Sequence, residues 1–156
     1  MSKPQRLQQA GTFFVTAACW NRRRLFQLDS NAELFLSCVE RNRPHFLLHA
    51  FVVMPDHFHL LFTPKELSLG RIVQYIRGGF SREYGLTTGS KSEVWQPGFS
   101  DVRIRSYPEY LTHIQYIDQN PVVRRLVEKA EDYRWSSAAG TWRLDELPQG
   151  LKPHSS

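Results

Sequence analysis

Two apolar runs joined by a two-residue connection constrain the fold of this sequence most strongly. Residues 47–54 and 57–63 are rich in apolar, aromatic and β-branched side chains, and Pro55-Asp56 lies between them. Runs of this kind favour β-strands, and so short a connection joins them as an antiparallel hairpin. The sequence therefore predicts an antiparallel hairpin at residues 47–63, and the other elements are assigned relative to it.

Further strands and helices are predicted on both sides of the hairpin. The expected strands lie at 13–20 and 100–105, with a strand-like piece at 94–96 before Pro97-Gly98. The expected helices lie at 29–43, 68–85, 107–120 and 122–129. The last two are separated because a residue that precedes proline, here Asn120, avoids the helical conformation.

The predicted order is strand, helix, strand, strand, helix, strand, followed by helices. This βαββαβ order is typical of the ferredoxin-like α+β fold, with a mainly antiparallel sheet and here with additional C-terminal helices. The chain has 156 residues, the length of one ordinary domain. We expect that domain at 12–145, with flexible tails at 1–11 and 146–156.

The charge of the chain favours a polyanionic partner. The formal net charge is +5 and the sequence pI is about 9.5, and nucleic acid is the commonest partner of a basic protein. Cys19 and Cys38 are too few for a disulfide framework and fit a reducing compartment. No apolar run approaches a membrane span or a signal peptide. These features predict a cytoplasmic protein without a membrane partner.

The second hairpin strand carries His57-Phe58-His59. Side chains alternate along a strand, so the two histidines share one face while Phe58 points to the other. Two imidazoles on one face of a rigid strand can bind the same metal ion. The alternative is a polar pair that faces solvent.

A second pair, Tyr116 and Asn120, lies four residues apart on a predicted helix. This spacing is about one helical turn and places both side chains on one face. The alternatives are that Asn120 caps a helix beginning at Pro121 and that the tyrosine ring packs in the core.

Arginine residues near aromatic side chains form a third signal, because arginine binds phosphate oxygens and exposed aromatic rings stack on unpaired bases. A solvated charged surface is the alternative explanation of each cluster. The candidate DNA-binding residues are Arg22, Arg23, Arg24, Arg77, Arg103, Arg105, Arg124 and Arg125.

Four ordered motifs resemble the single-tyrosine HUH transposases, and among them the REP-associated tyrosine transposases of the IS200-like group. The resemblance extends from about residue 14 to about residue 138. The motifs are Val53-Met54-Pro55-Asp56-His57-Phe58-His59-Leu60-Leu61, Trp95-Gln96-Pro97-Gly98-Phe99-Ser100-Asp101, Tyr116-Ile117-Asp118-Gln119-Asn120-Pro121-Val122 and Asp132-Tyr133-Arg134-Trp135-Ser136-Ser137.

The resemblance implies a ferredoxin-like core and a tyrosine nuclease–transposase. Tyr116 would be the nucleophile, and His57 and His59, with Asn120 as third ligand, would bind Mg²⁺ or Mn²⁺. The substrate would be single-stranded or hairpin DNA, cut through a 5′-phosphotyrosine intermediate, by a monomer or a homodimer. Two alternatives stay open: a domesticated protein that binds palindromes without cutting, and a phosphodiesterase that uses water as nucleophile.

Overall fold

The computed structural model describes residues 11–153 of the chain. Its four strands are β1 (Thr12–Ala18), β2 (Phe46–Met54), β3 (His57–Pro64) and β4 (Ser100–Ile104). Its α-helices are α1 (Asp29–Arg41), α2 (Leu69–Thr88) and α3 (Tyr107–Val123). Over these residues no helix combines the length and the apolar character that a membrane span requires.

The four strands form one antiparallel sheet in the order β2-β3-β1-β4. The predicted hairpin is confirmed as β2 and β3, and β1 pairs with both β3 and β4. With α1 after β1 and α2 after β3, the chain follows the βαββαβ order of the ferredoxin-like fold. The α+β prediction is therefore confirmed.

Alternation of side chains along the strands divides the core into two layers. On one face, α1 and α2 cover the sheet, where Phe35 packs against Phe58 of β3 and Phe80 packs against Phe35. On the other face, α3 packs through Ile117 against apolar residues of β2 and β3. The histidines of β3 alternate with Phe58 and so point to the α3 side.

The predicted interruption at Asn120-Pro121 is wrong, because α3 continues through both residues to Val123. Asn120 and Pro121 are buried, and this packing outweighs the local preference against helix before proline. Asn120 is therefore an interior helix residue and not the N-cap of a new helix. The predicted helix at 122–129 is absent from the described chain, and α3 is followed instead by the 3-10 turn Ala130–Asp132.

Two further predictions of local structure need correction. The first strand ends at Ala18, because Trp20–Arg22 forms a 3-10 turn in which Asn21 has φ 54°. The piece predicted at 94–96 is reduced to an isolated bridge between Trp95 and Cys19.

The segment after α3 is bonded to β2. The Tyr133 hydroxyl donates to the carbonyl of Val53 at 2.6 Å, and an Asp145 carboxylate oxygen accepts from Leu48 N at 2.9 Å. Gln149–Leu151 forms a 3-10 turn. Residues 1–10 and 154–156 of the predicted tails lie outside the described residues, and the flexibility of the tails stays a prediction.

Candidate active site

His57 and His59 lie side by side on β3, facing α3. In the strand register His57 is opposite Ala18 and His59 is opposite Thr16 of β1. Both imidazoles are 4% exposed, and their ring centroids are 4.9 Å apart with the planes at 80°. The alternative of a solvent-facing pair is therefore excluded.

Each histidine is oriented by a hydrogen bond at its Nδ1 atom. His57 Nδ1 lies 2.7 Å from a carboxylate oxygen of Asp56, and His59 Nδ1 lies 2.8 Å from the Thr16 hydroxyl. When Nδ1–H donates in both bonds, each ring keeps an unprotonated Nε2 with a free lone pair. A histidine that ligates a metal through Nε2 commonly has this arrangement.

Burial favours the neutral form of both imidazoles. Burial lowers the pKa of His59 to about 3, with further lowering by the charges of His57 and Arg124. Burial also lowers the pKa of His57, although the Asp56 carboxylate acts in the opposite direction. Neutral imidazoles have the lone pairs that metal binding needs.

Asn120 brings an amide group from α3 to the two histidines. Its side chain is 4% exposed, and Nδ2 lies 3.4 Å from His59 Nε2. Among residues 11–153 no donor bonds to its Oδ1 atom, although that atom is buried. An unpaired buried carbonyl is costly, and a cation bound by Oδ1 and the two Nε2 atoms would satisfy it.

The donor set of two imidazole nitrogens and one amide oxygen fits a divalent ion with open coordination positions. In the described part of the chain, no group of three or more His, Cys, Asp or Glu side chains is placed to hold a metal. A third protein ligand at the histidine pair therefore has to be of another type, such as Asn120.

Tyr116 lies one turn before Asn120 on α3 and is 49% exposed. Its ring centroid is 5.3 Å from that of His59, at an interplanar angle of 75°. The ring of Phe14 contacts Tyr116 edge to face, with centroids 5.9 Å apart, and stacks on His59 at 5.1 Å. The tyrosine is therefore a surface residue beside the histidines and not part of the core.

Three of the predicted arginines lie near the histidines. Arg24 and Arg124 line a cleft of about 160 Å³ together with Asp56 and His57. Arg22 forms an ion pair with Asp56, its Nε lying 3.7 Å from the carboxylate. This cleft can accept a phosphate group next to the histidine pair.

The other predicted arginines are distributed differently. Arg23 donates to the carbonyl of Glu93 and so anchors a loop. Arg103 is opposite Phe13 at the end of β1 remote from His57, and Arg105 follows it. Arg125 is exposed in the left-handed conformation, with φ 61°.

Arg77 is partly buried on α2 and donates to the carbonyl of Gly98 at 2.7 Å. It borders a cleft between α2 and the segment that precedes β4, away from the histidine pair. The structure therefore brings together only part of the predicted arginine set.

Three residues of the site were not singled out by the sequence: Phe14, Thr16 and Asp56. The Pro55-Asp56 sequence predicted a turn. It did not predict the hydrogen bond between Asp56 and His57. Thr16 and Phe14 are opposite β3 residues more than 40 positions away. No local pattern reports such a pairing.

Comparison with known proteins identifies the family of the chain. The family model described as Transposase IS200 like matches residues 13–120. The REP-associated tyrosine transposase of Escherichia coli (strain K12) is 31% identical over 150 residues, which cover 93% of this chain and 84% of that protein.

A solved structure, described as a REP-associated tyrosine transposase bound to a REP hairpin, has the same fold. It superposes with a TM-score of 0.68 at 26% identity, over 92% of this chain and 88% of the other. Together with the sequence matches, this places the chain in a family of enzymes that act on DNA. The protein belongs to the IS200-like transposase family.

Proposed function

We propose that this protein cuts and rejoins single-stranded or hairpin DNA through a covalent bond between Tyr116 and a 5′ phosphate. The observation that carries the proposal is the placement of a half-exposed Tyr116 ring against His59, one helical turn from Asn120. The hydroxyl is on the surface that a DNA strand can reach, and the ring is held by packing on Phe14. The relative bound to a REP hairpin supports this substrate class.

In the proposed reaction the Tyr116 oxygen attacks phosphorus, and its bond to phosphorus forms as the bond to the 3′ oxygen breaks. The phenolic proton is lost on attack, and the departing 3′ oxygen gains a proton to become a hydroxyl. The product is a phosphotyrosine ester, so attack by a 3′ hydroxyl can reverse the step and join a strand. No nucleotide hydrolysis is needed for rejoining.

His57, His59 and Asn120 would hold Mg²⁺ or Mn²⁺. A bound divalent ion acts as a Lewis acid that neutralises charge on the scissile phosphate. Asp56 and Thr16 keep the imidazoles in the orientation that binding requires. Arg24 and Arg124, in the cleft beside His57, are placed to contact an adjacent phosphate. Tyr116 and the three ligands come from one chain, so the proposed site needs no residue from a second copy.

The test is to incubate the protein with end-labelled hairpin DNA and Mn²⁺ and to separate the products on a denaturing gel. We expect a covalent protein–DNA band that requires metal and disappears in Tyr116→Phe. Tyr110→Phe is the matched control, because it removes a hydroxyl from the same helix, away from the histidine pair.

Two other results would replace the proposal. Cleavage that persists in Tyr116→Phe would make water the nucleophile. Binding without cleavage, over a panel of hairpin sequences, would make the protein a palindrome-binding protein that does not cut.

A further inference from the structure

A second cleft, which we name the Arg77 groove, lies between α2 and the segment that leads into β4. Its volume is about 410 Å³. Its walls include Gln74, Arg77, Ser81, Trp95, Gln96 and Phe99. The strand-transfer chemistry proposed above uses none of these side chains.

Arg77 is held in this groove in a fixed position. Its Nη1 donates to the carbonyl oxygens of Gly98 at 2.7 Å and Gln96 at 3.4 Å. The indole of Trp95 donates in return to the Arg77 carbonyl at 2.9 Å. In the described part of the chain the guanidinium has no carboxylate partner. Glu93 also lines the groove but forms no ion pair with Arg77, so the guanidinium charge is available to a ligand.

Two aromatic rings flank this charge. The guanidinium carbon lies 5.7 Å from the Trp95 ring centroid and 6.0 Å from that of Phe99. Trp95 is 9% exposed and closes the cleft on the inner side, whereas Phe99 is 36% exposed and offers a free face. Planar guanidinium and aromatic groups are the surfaces on which unpaired bases stack.

The rim of the groove can also recognise the edge of a base. Gln74 and Gln96 are exposed, and each side-chain amide supplies donors as well as an acceptor. Base edges carry the same kinds of groups, so an inserted base can be hydrogen-bonded as well as stacked.

The groove and the histidine site lie on opposite faces of the sheet, and Gln96 connects them at the end of β1. Gln96 N donates to Ala18 O at 2.9 Å, and Ala18 is the register partner of His57. Two strand spacings, roughly 10 Å, therefore separate the backbone of Gln96 from that of His57. A flexible single strand that passes around this end of the sheet can reach both the groove and the histidine site.

We propose that the Arg77 groove binds one unpaired base of the DNA strand that is cut at Tyr116. The base stacks on Phe99 and the Arg77 guanidinium, and its edge faces Gln74 and Gln96. A base within a duplex cannot enter, because its faces are covered by its neighbours in the stack. The groove thus selects for single-stranded DNA beside the cleavage point, and this role rests on the proposed function for its substrate.

The experiment uses single-stranded oligonucleotides in which 2-aminopurine, a fluorescent base quenched by stacking, is moved one position at a time. Binding is measured by titration without metal. For Phe99→Ala we expect quenching to disappear at one position and affinity to fall by about tenfold or more. Arg77→Gln should also weaken binding, whereas Arg82→Gln, which removes an exposed charge of α2 outside the groove, should have a much smaller effect.

Gly78→Leu is a second variant that fills the groove. A Cβ atom at Gly78 would meet no atom within 4 Å, so the larger side chain extends into the cleft without displacing the core. We expect the same loss of quenching as in Phe99→Ala. Leu86→Ala, at a side chain 75% exposed, is the control for removal of a surface apolar group.

Covalent product formation with Mn²⁺ on the same oligonucleotides distinguishes the two proposals. The groove proposal would be overturned if wild type, Phe99→Ala and Gly78→Leu showed equal affinity and equal quenching. If these proteins also formed normal amounts of covalent product, the cutting proposal would remain intact. Position-specific loss of quenching in both variants, with no covalent product from wild type, would support the groove in a protein that binds DNA without cutting it.

Discussion

Replacement of Asn120 by leucine should have opposite effects on stability with and without metal. Asn120 Oδ1 is a buried acceptor for which the described residues supply no donor, and its Nδ2 makes one long contact to His59. Leucine has nearly the same shape and carries no polar atom. The variant therefore removes an unsatisfied group together with a proposed metal ligand.

The expected change in metal-free protein follows from two opposing terms. Removal of a buried unsatisfied acceptor stabilises the fold by about 1–3 kcal/mol, whereas loss of the 3.4 Å contact to His59 costs about 0.5–1.5 kcal/mol. The net gain in the free energy of unfolding is about 1 kcal/mol. For a chain of this length, that raises Tm by about 2–4 °C.

Bound Mn²⁺ should make wild type more stable than Asn120→Leu. At a free Mn²⁺ concentration about 100 times Kd, binding stabilises wild type by about 2.7 kcal/mol. The variant, which retains only two histidine ligands, should gain much less. Thermal and urea unfolding, each in EDTA and in Mn²⁺, measure both differences. Asn31→Leu is the matched control, since Asn31 donates a normal 2.7 Å bond to Leu25 O and its loss should destabilise under both conditions.

Either of two results would refute this reasoning. An equal Mn²⁺ shift in wild type and Asn120→Leu would show that the amide is not a ligand. A variant less stable than wild type in EDTA would show that the unpaired oxygen carries no cost in the folded protein.

Three further outcomes are expected. Asp56→Asn should weaken Mn²⁺ binding about 10–100-fold in isothermal titration, because the 2.7 Å bond that orients His57 loses its charge; unchanged affinity would contradict that role. In EDTA, the free energy of unfolding should fall as pH drops from about 6.5 towards about 3, because the pKa of His59 is depressed in the fold and the unfolded chain takes up the proton first. The contribution of neutral His59 to the free energy of unfolding is present above pH 6.5 and is lost below it, by up to about 1.4 kcal/mol per pH unit. Urea unfolding at a series of pH values should show a smaller dependence of stability on pH in His59→Phe. Tyr133→Phe should lower stability by about 1–3 kcal/mol in urea unfolding, because the Val53 carbonyl loses its donor, while the Kd for Mn²⁺ stays unchanged; a fall in metal affinity as large as that of Asp56→Asn would place Tyr133 in the site.

The hairpin and the histidine pair could be read from the sequence because both depend on local alternation. In any regular strand His57 and His59 lie on one face and Phe58 lies on the other, whatever the strand packs against. The same holds for Tyr116 and Asn120, whose spacing of four needs only a continuous helix. These features did not require knowledge of long-range pairing.

Long-range contacts determined what the sequence did not reveal. Thr16 bonds to His59, 43 positions away, and the contact exists only because β1 lies between β3 and β4. Pro121 shows the reverse effect: the local rule predicted a break, and burial of Asn120 and Pro121 outweighed it. The Arg77 groove likewise depends on the docking of the segment before β4 on α2.

The position of α3 in the chain also affects when the site can be assembled during synthesis. All four strands are complete at Ile104, and α3 begins only at Tyr107. A nascent chain can therefore pair its sheet, with both histidines in place, before the nucleophile and the amide have left the ribosome. Under the proposed mechanism, a partially made chain cannot cut DNA until α3 has docked on the finished sheet.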